Sequence, residues 1–138
     1  MSEQVAVGSL DTPIGMLWMA CSAHGVCKLI FPREGARATI EHWLAAHLPT
    51  HVLTTTSPLL EQTSAELGEY FVGTSHDFTL PLDFHGSAFQ QRVWRALTRI
   101  PYGHTVSYGA LARSLNAPQA ARAVGAACGA NPVPIMAP

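Results

Sequence analysis

The residues of this 138-residue sequence that could do chemistry gather in its last third. Ala120, Ala121, Ala123, Gly125, Ala126, Ala127 and Gly129 are all small, and Arg122 is the single charge among them. A helix that reads base edges in a major groove needs several long polar side chains, and this stretch has almost none. It can bring its backbone close to a partner with one arginine projecting, which suits a narrow minor groove read by shape. It can equally pack tightly against its own domain and leave Arg122 solvated. Tyr108 taken alone reads as a core aromatic with a satisfied hydroxyl. Asn131 follows the small-residue stretch and opens Asn131-Pro132-Val133-Pro134-Ile135-Met136-Ala137-Pro138. Taken alone, that run is a helix-ending Asn before a Pro-rich connector.

Three cysteines, Cys21, Cys27 and Cys128, make an odd count. A disulfide framework is not expected. Cys21 and Cys27 flank a turn at Ala23-His24-Gly25 and read as small hydrophobes in strands. A zinc site would need two more ligands at suitable spacing, and there is no CxxC. No metal is expected.

These residues have to be positioned by two differently composed halves. Apolar residues make up 48% and charged residues 12%, which supports a packed core and argues against disorder. No apolar run reaches the length of a membrane span. The start, Met1-Ser2-Glu3-Gln4, has no signal-peptide character, so a cytoplasmic protein is expected. Residues 1–85 hold all nine acidic side chains and three basic ones, whereas residues 86–138 hold five arginines and no acid. An acid-free, arginine-only half is a candidate polyanion-binding surface.

Residues 4–31 read as a small antiparallel meander, with turns at Asp11–Gly15 and His24-Gly25. A helix follows over about 35–47, with Ile40, Trp43 and Leu44 on one face, and Pro49 beyond it. Ser57-Pro58 opens a second helix that runs to about Val72 and is closed by Gly73. Phe78–Leu82 reads as an edge strand because of Pro81. Beyond His85-Gly86 the pattern is helical. Helix 88–100 starts from Ser87, with Phe89, Val93, Leu97 and Ile100 on one side and Arg92, Arg95 and Arg99 on the other. Ser107 caps a short helix carrying Leu111 and Leu115. Ala117-Pro118 starts a third helix through about Gly129, which makes a helix-turn-helix with the second. The expected fold class is α+β: an N-terminal α/β domain at 1–85 and a helical, winged-helix-like domain at 86–138.

Read in order, Pro101-Tyr102-Gly103, Ser107-Tyr108-Gly109-Ala110-Leu111-Ala112, Ala120-Ala121-Arg122-Ala123-Val124-Gly125 and Asn131–Pro138 closely resemble the DNA-binding half of the O6-alkylguanine-DNA alkyltransferases, or methylated-DNA–protein-cysteine methyltransferases. Leu10–Gly15 and Pro81–Ser87 match as well. The resemblance implies a DNA-repair protein that flips an O6-alkylguanine, and with it O4-alkylthymine, out of duplex DNA through the minor groove. It then moves the alkyl group to a cysteine, once per molecule, as a cytoplasmic monomer without a cofactor. By the same resemblance Arg122 fills the gap left by the extruded nucleotide and Tyr108 helps to rotate its phosphate. Asn131 and its loop orient the cysteine and the guanine pocket, Gln90 contacts the DNA backbone, and Gly125 belongs to the DNA-facing helix. Gly109 and Ala117 match DNA-facing positions whose type varies.

In the family the run like Asn131–Pro138 leads directly into Cys-His-Arg, and that cysteine is the nucleophile. A histidine acting through water helps to form the thiolate, and a glutamate holds the histidine. The sequence ends at Pro138, so the nucleophile is expected immediately after it, and the chain as written is expected to be inactive. A shortened chain, a modified cysteine at the next position, and a non-catalytic alkyltransferase-like parent that binds and flips lesions all fit this reading. An ordinary helix-turn-helix regulator is disfavoured by the small-residue helix.

Overall fold

The computed structural model describes residues 3–75 and 77–137. The chain divides into two compact units that part between Asp83 and Phe84. The architecture is α+β, with the sheet in the first unit and three helices in the second.

The first unit is built on strands β1 (Glu3–Thr12), β2 (Gly15–Cys21) and β3 (Val26–Ile30). β1 and β2 pair antiparallel in a hairpin whose register closes at Thr12↔Gly15. The Thr12 hydroxyl donates to the Gly15 carbonyl (2.6 Å) and accepts from the Ile14 N–H (3.2 Å). Gly15 supplies the positive φ, +113°, that the turn demands. Helix α1 (Ala36–His47) follows, then strand β4 (His51–Thr54), then helix α2 (Pro58–Phe71). The sheet order is β3-β2-β1-β4.

β1, β2 and β3 form the expected antiparallel meander, and β4, which the sequence did not signal, pairs parallel with β1 and makes the sheet mixed. Alternate residues of a strand point to opposite faces, and β2 is covered on both. On one side Ala20 packs with Val5 against Ile40 and Leu44 of α1, with Trp18 at the margin. On the other, Met19 and Cys21 meet Ser64 and Thr63 of α2. This explains the unbroken apolar run of β2. α2 begins as its sequence directs: the Ser57 hydroxyl accepts the Leu60 N–H (3.0 Å), Pro58 occupies the first turn, and Gly73 (φ +80°) follows the last.

The edge strand expected over Phe78–Leu82 does not form. A single parallel bridge, Val26↔Leu82, is all that remains of it. The Thr79 N–H is taken by the Glu66 carboxylate (2.7 Å), which also accepts from the Thr79 hydroxyl (2.7 Å) and from Gln62 (2.9 Å). Pro81 has no N–H to give. Burial works against the Glu66 charge, but the hydrogen bonds from Gln62 and Thr79 win and hold its pKa below the ordinary value.

In the second unit the helices are α3 (Ala88–Leu97), α4 (Tyr108–Ser114) and α5 (Ala121–Gly129). A capping box opens α3: the Ser87 hydroxyl accepts the Gln90 N–H (3.1 Å), and the Gln90 side chain accepts the Ser87 N–H (2.9 Å). α3 stops three residues earlier than expected, where Thr98–Ile100 tighten into turns. α5 also starts later than Ala117-Pro118. Asn116 takes a left-handed φ of +58°, and the Ala117 and Ala120 N–H groups close turns onto Ala112 and Ala117, so helical pairing begins at Ala121.

The core of this unit is Val93, Trp94, Leu97, Leu111, Val124, Val133 and Ala137 with their small neighbours. Trp94 is central to it. Its ring packs near Phe84, at 5.6 Å between centroids, and over Gly86, where an added Cβ would lie 2.6 Å from it. Its indole N–H donates to the Ala127 carbonyl of α5 (2.8 Å). Among the described residues no helix is long and apolar enough to cross a membrane.

Two glycines test the first unit from opposite directions. A Cβ on Gly25 would lie 2.7–2.8 Å from backbone atoms of Pro81, Leu82 and Asp83, where Val26 exchanges hydrogen bonds of 2.9 and 3.0 Å with that segment. Gly25→Ala should therefore cost roughly 1–3 kcal/mol. Gly68 lies inside α2 with nothing within 4 Å of an added Cβ, so Gly68→Ala should gain about 0.5–1 kcal/mol. Urea melts of both variants check the pair. A Gly25→Ala protein as stable as its parent would mean that residues 81–83 do not press on the turn.

Candidate nucleic-acid interface

α5 sorts its residues cleanly. Val124 and Ala127 are buried, while Arg122, Ala123, Ala126 and Gly129 are exposed. The open side of the helix is thus nearly bare backbone with one long cation. Arg122 makes no hydrogen bond or ion pair with any described residue. One face of the helix packs internally, and the other is smooth and open.

Tyr108 is the first residue of α4 and is 54% exposed, so it is not a core aromatic. α4 is fixed at this end by Ser107, whose hydroxyl accepts the Ala110 N–H (3.0 Å). The Tyr108 ring lies against Gly125: a Cβ built there would be 3.1 Å from both Cδ2 and Cε2. Gly125 is therefore partly covered by an aromatic ring. This contact joins two residues seventeen positions apart, and no spacing rule signals it.

Asn131 is part-buried and clamps the loop that follows α5. Its Oδ1 accepts the Val133 N–H (3.0 Å), and its Nδ2 donates to the Ala137 carbonyl. The Ala137 N–H in turn bonds the Val133 carbonyl (3.0 Å). Pro132, Val133, Met136 and Ala137 are buried, so this Pro-rich run is a packed element, not a free connector. Ile135 is held at φ +77°, a conformation that costs a β-branched residue energy and persists where its surroundings impose it. Pro138 lies outside the described residues.

Gln90 lies in the first turn of α3. Its side-chain oxygen serves the α3 cap, which is a sufficient structural reason for it. Arg92 of α3 donates to the Leu115 carbonyl at the end of α4, Arg95 donates to Gln91 (3.1 Å), and Arg99, in the turn after α3, is exposed.

None of the three cysteines is set up as a nucleophile. Cys21 and Cys27 are buried. Burial pushes the Cys27 thiol up to about 12, reinforced by the charge of Asp83, and burial raises Cys21 as well. Cys128 is partly exposed, and desolvation raises it too. The nucleophilic form is the thiolate, and each of these environments opposes it. Among the described residues no three His, Cys, Asp or Glu side chains gather where a metal ion could be held.

Comparison with known proteins places this geometry. The model of the 6-O-methylguanine DNA methyltransferase DNA-binding domain matches residues 88–138, and that of the same family's ribonuclease-like domain matches residues 5–84. A methylated-DNA–protein-cysteine methyltransferase of Mycolicibacterium paratuberculosis is 40% identical over 131 residues, covering 94% of this chain and 73% of that protein. The inducible methylated-DNA–protein-cysteine methyltransferase of Bacillus subtilis is 44% identical over 96 residues, covering 70% and 54%. A crystal structure of Mycobacterium tuberculosis OGT in complex with DNA aligns with a TM-score of 0.75 at 35% identity, covering 98% of this chain and 74% of that one. The chain belongs to the 6-O-methylguanine DNA methyltransferase family.

Proposed function

We propose that the protein repairs DNA by taking the alkyl group of an O6-alkylguanine onto a cysteine, with α5 lying in the minor groove and the damaged nucleotide extruded. The observation that carries this reading is the exposed face of α5, where Arg122 projects from a surface of alanine and glycine. A nearly side-chain-free helix lets backbone approach backbone, and a lone guanidinium beside it can both stack and donate hydrogen bonds. The alkyl group on guanine O6 is out of reach inside the stack, so chemistry on it requires extrusion.

The acceptor by this reading is a cysteine directly after Pro138, in a form of the protein that continues past that point. The Asn131 clamp supports it, because Asn131 holds the Ala137 carbonyl at the end of the described loop. The transfer is an in-line displacement. The thiolate sulfur bonds to the alkyl carbon while the carbon–O6 bond breaks; the electron pair of that bond leaves with the guanine, which takes up the proton released when the thiol ionised and returns to the ordinary 6-oxo base. The thioether is stable, so each molecule reacts once. The lack of an activated thiol at Cys21, Cys27 and Cys128 agrees with an acceptor elsewhere. A cytoplasmic monomer acting on duplex DNA completes the proposal. The rival is a protein that binds and flips the lesion without taking the alkyl group.

Two experiments bear on this, both in a form continuing into the acceptor cysteine. Arg122→Ala should slow transfer from duplex DNA by an amount worth roughly 1–3 kcal/mol and leave transfer from the free O6-alkylated base unchanged. Equal losses on both substrates would make Arg122 structural. Transfer mapped by peptide mass to Cys21, Cys27 or Cys128 would overturn the acceptor assignment, and binding without any transfer would favour the rival. Asn131→Ala should leave the Ala137 carbonyl and the Val133 N–H without their partner, costing about 1–3 kcal/mol of stability. Because the loop loses its clamp, it should also slow transfer from the free base. A variant that melts lower yet reacts normally with free base would confine Asn131 to folding.

A further inference from the structure

We propose that Gly125 is a positioning residue for nucleotide extrusion and acts through Tyr108. The proposal rests on the DNA-repair reading above and adds to it a reason for the glycine.

Gly125 is the fifth residue of the nine in α5 and has no positive φ, so its backbone conformation does not call for glycine. Inside a helix, alanine is the better residue on propensity alone. Space is what glycine provides here. The three heavy atoms nearest to an added Cβ all belong to the Tyr108 ring, at 3.1, 3.1 and 3.7 Å. Gly125 lies three residues beyond Arg122, so the ring settles one helical turn from the projecting guanidinium. The bare Cα is the seat of the ring. It puts an exposed aromatic from α4 and a cation from α5 side by side on one surface, at the end of α4 opposite to the one that Arg92 ties down through the Leu115 carbonyl.

The ring can yield, because Tyr108 is an exposed residue at the start of its helix. A methyl at position 125 therefore moves the ring more readily than it disrupts the helix. Gly125→Ala should keep or raise the melting temperature, as expected of Gly68→Ala in α2, and still impair extrusion. The alternative cause of the glycine, direct approach of DNA to its Cα, predicts a different dependence on Tyr108.

The test is a double-mutant cycle on duplex DNA containing one O6-methylguanine beside 2-aminopurine. The fluorescence rise reports unstacking and needs no acceptor cysteine. Gly125→Ala and Tyr108→Ala should each lower the extrusion equilibrium on the order of tenfold, and the double variant should be no worse than Tyr108→Ala alone. Arg122→Ala serves as the reference. Additive losses would assign Gly125 to direct DNA contact and overturn the proposal. A silent Gly125→Ala alongside an impaired Arg122→Ala would also overturn it, as would a fall in melting temperature. If Arg122→Ala and Tyr108→Ala are silent too, the DNA reading fails and takes this proposal with it.

Discussion

A helix made of alanine and glycine cannot anchor itself with large side chains, and the second unit depends on how that difficulty is met. Val124 is the one sizeable apolar residue that α5 buries. The rest of its attachment is made to the backbone. The Trp94 indole donates to the Ala127 carbonyl inside the core, where an unmade bond would be costly. One hydrogen bond from α3 thus holds the last turn of α5, and the loop of Asn131 leaves from that same turn. The outward face is then free of any packing duty, which is why it can stay smooth.

Much of this was readable in residue types, and the remainder shows where such reading ends. Ser57, Ser87 and Ser107 signalled three helix starts because an N-cap is a local event with a local side chain. The β1–β2–β3 meander was legible from its turns. β4 was not, since four residues after a helix carry no periodicity to distinguish them from loop. Phe78–Leu82 had strand composition, but Glu66 took the N–H that a ladder would need. Arg122 was found as the odd charge in a small-residue run. The contact of Tyr108 with Gly125 and the reach of Asn131 to Ala137 are products of tertiary packing, and neither leaves a mark in the sequence beyond the residue types themselves.

The arginines of the second unit also separate once their partners are known. Counted from sequence, five cations and no acid suggest a broad field for a polyanion. Arg92, however, is spent on the Leu115 carbonyl, where it closes the end of α4, and Arg95 is engaged by Gln91. Arg99, Arg113 and Arg122 are exposed, and no hydrogen bond or ion pair with a described residue engages their side chains. The salt dependence of binding follows the phosphates actually neutralised and not the formal charge of the domain.

The buried thiols have a consequence for survival under the conditions in which such a protein would be needed. Electrophiles that alkylate guanine attack sulfur anions faster still, and a cell exposed to them presents both targets at once. Cys27, held as a neutral thiol by burial and by Asp83, and Cys21, sealed beneath α2, are withdrawn from that competition. The two thiols at the heart of the first unit are therefore poor targets for such a reagent, and the packing they contribute to is spared the bulk of an added alkyl group.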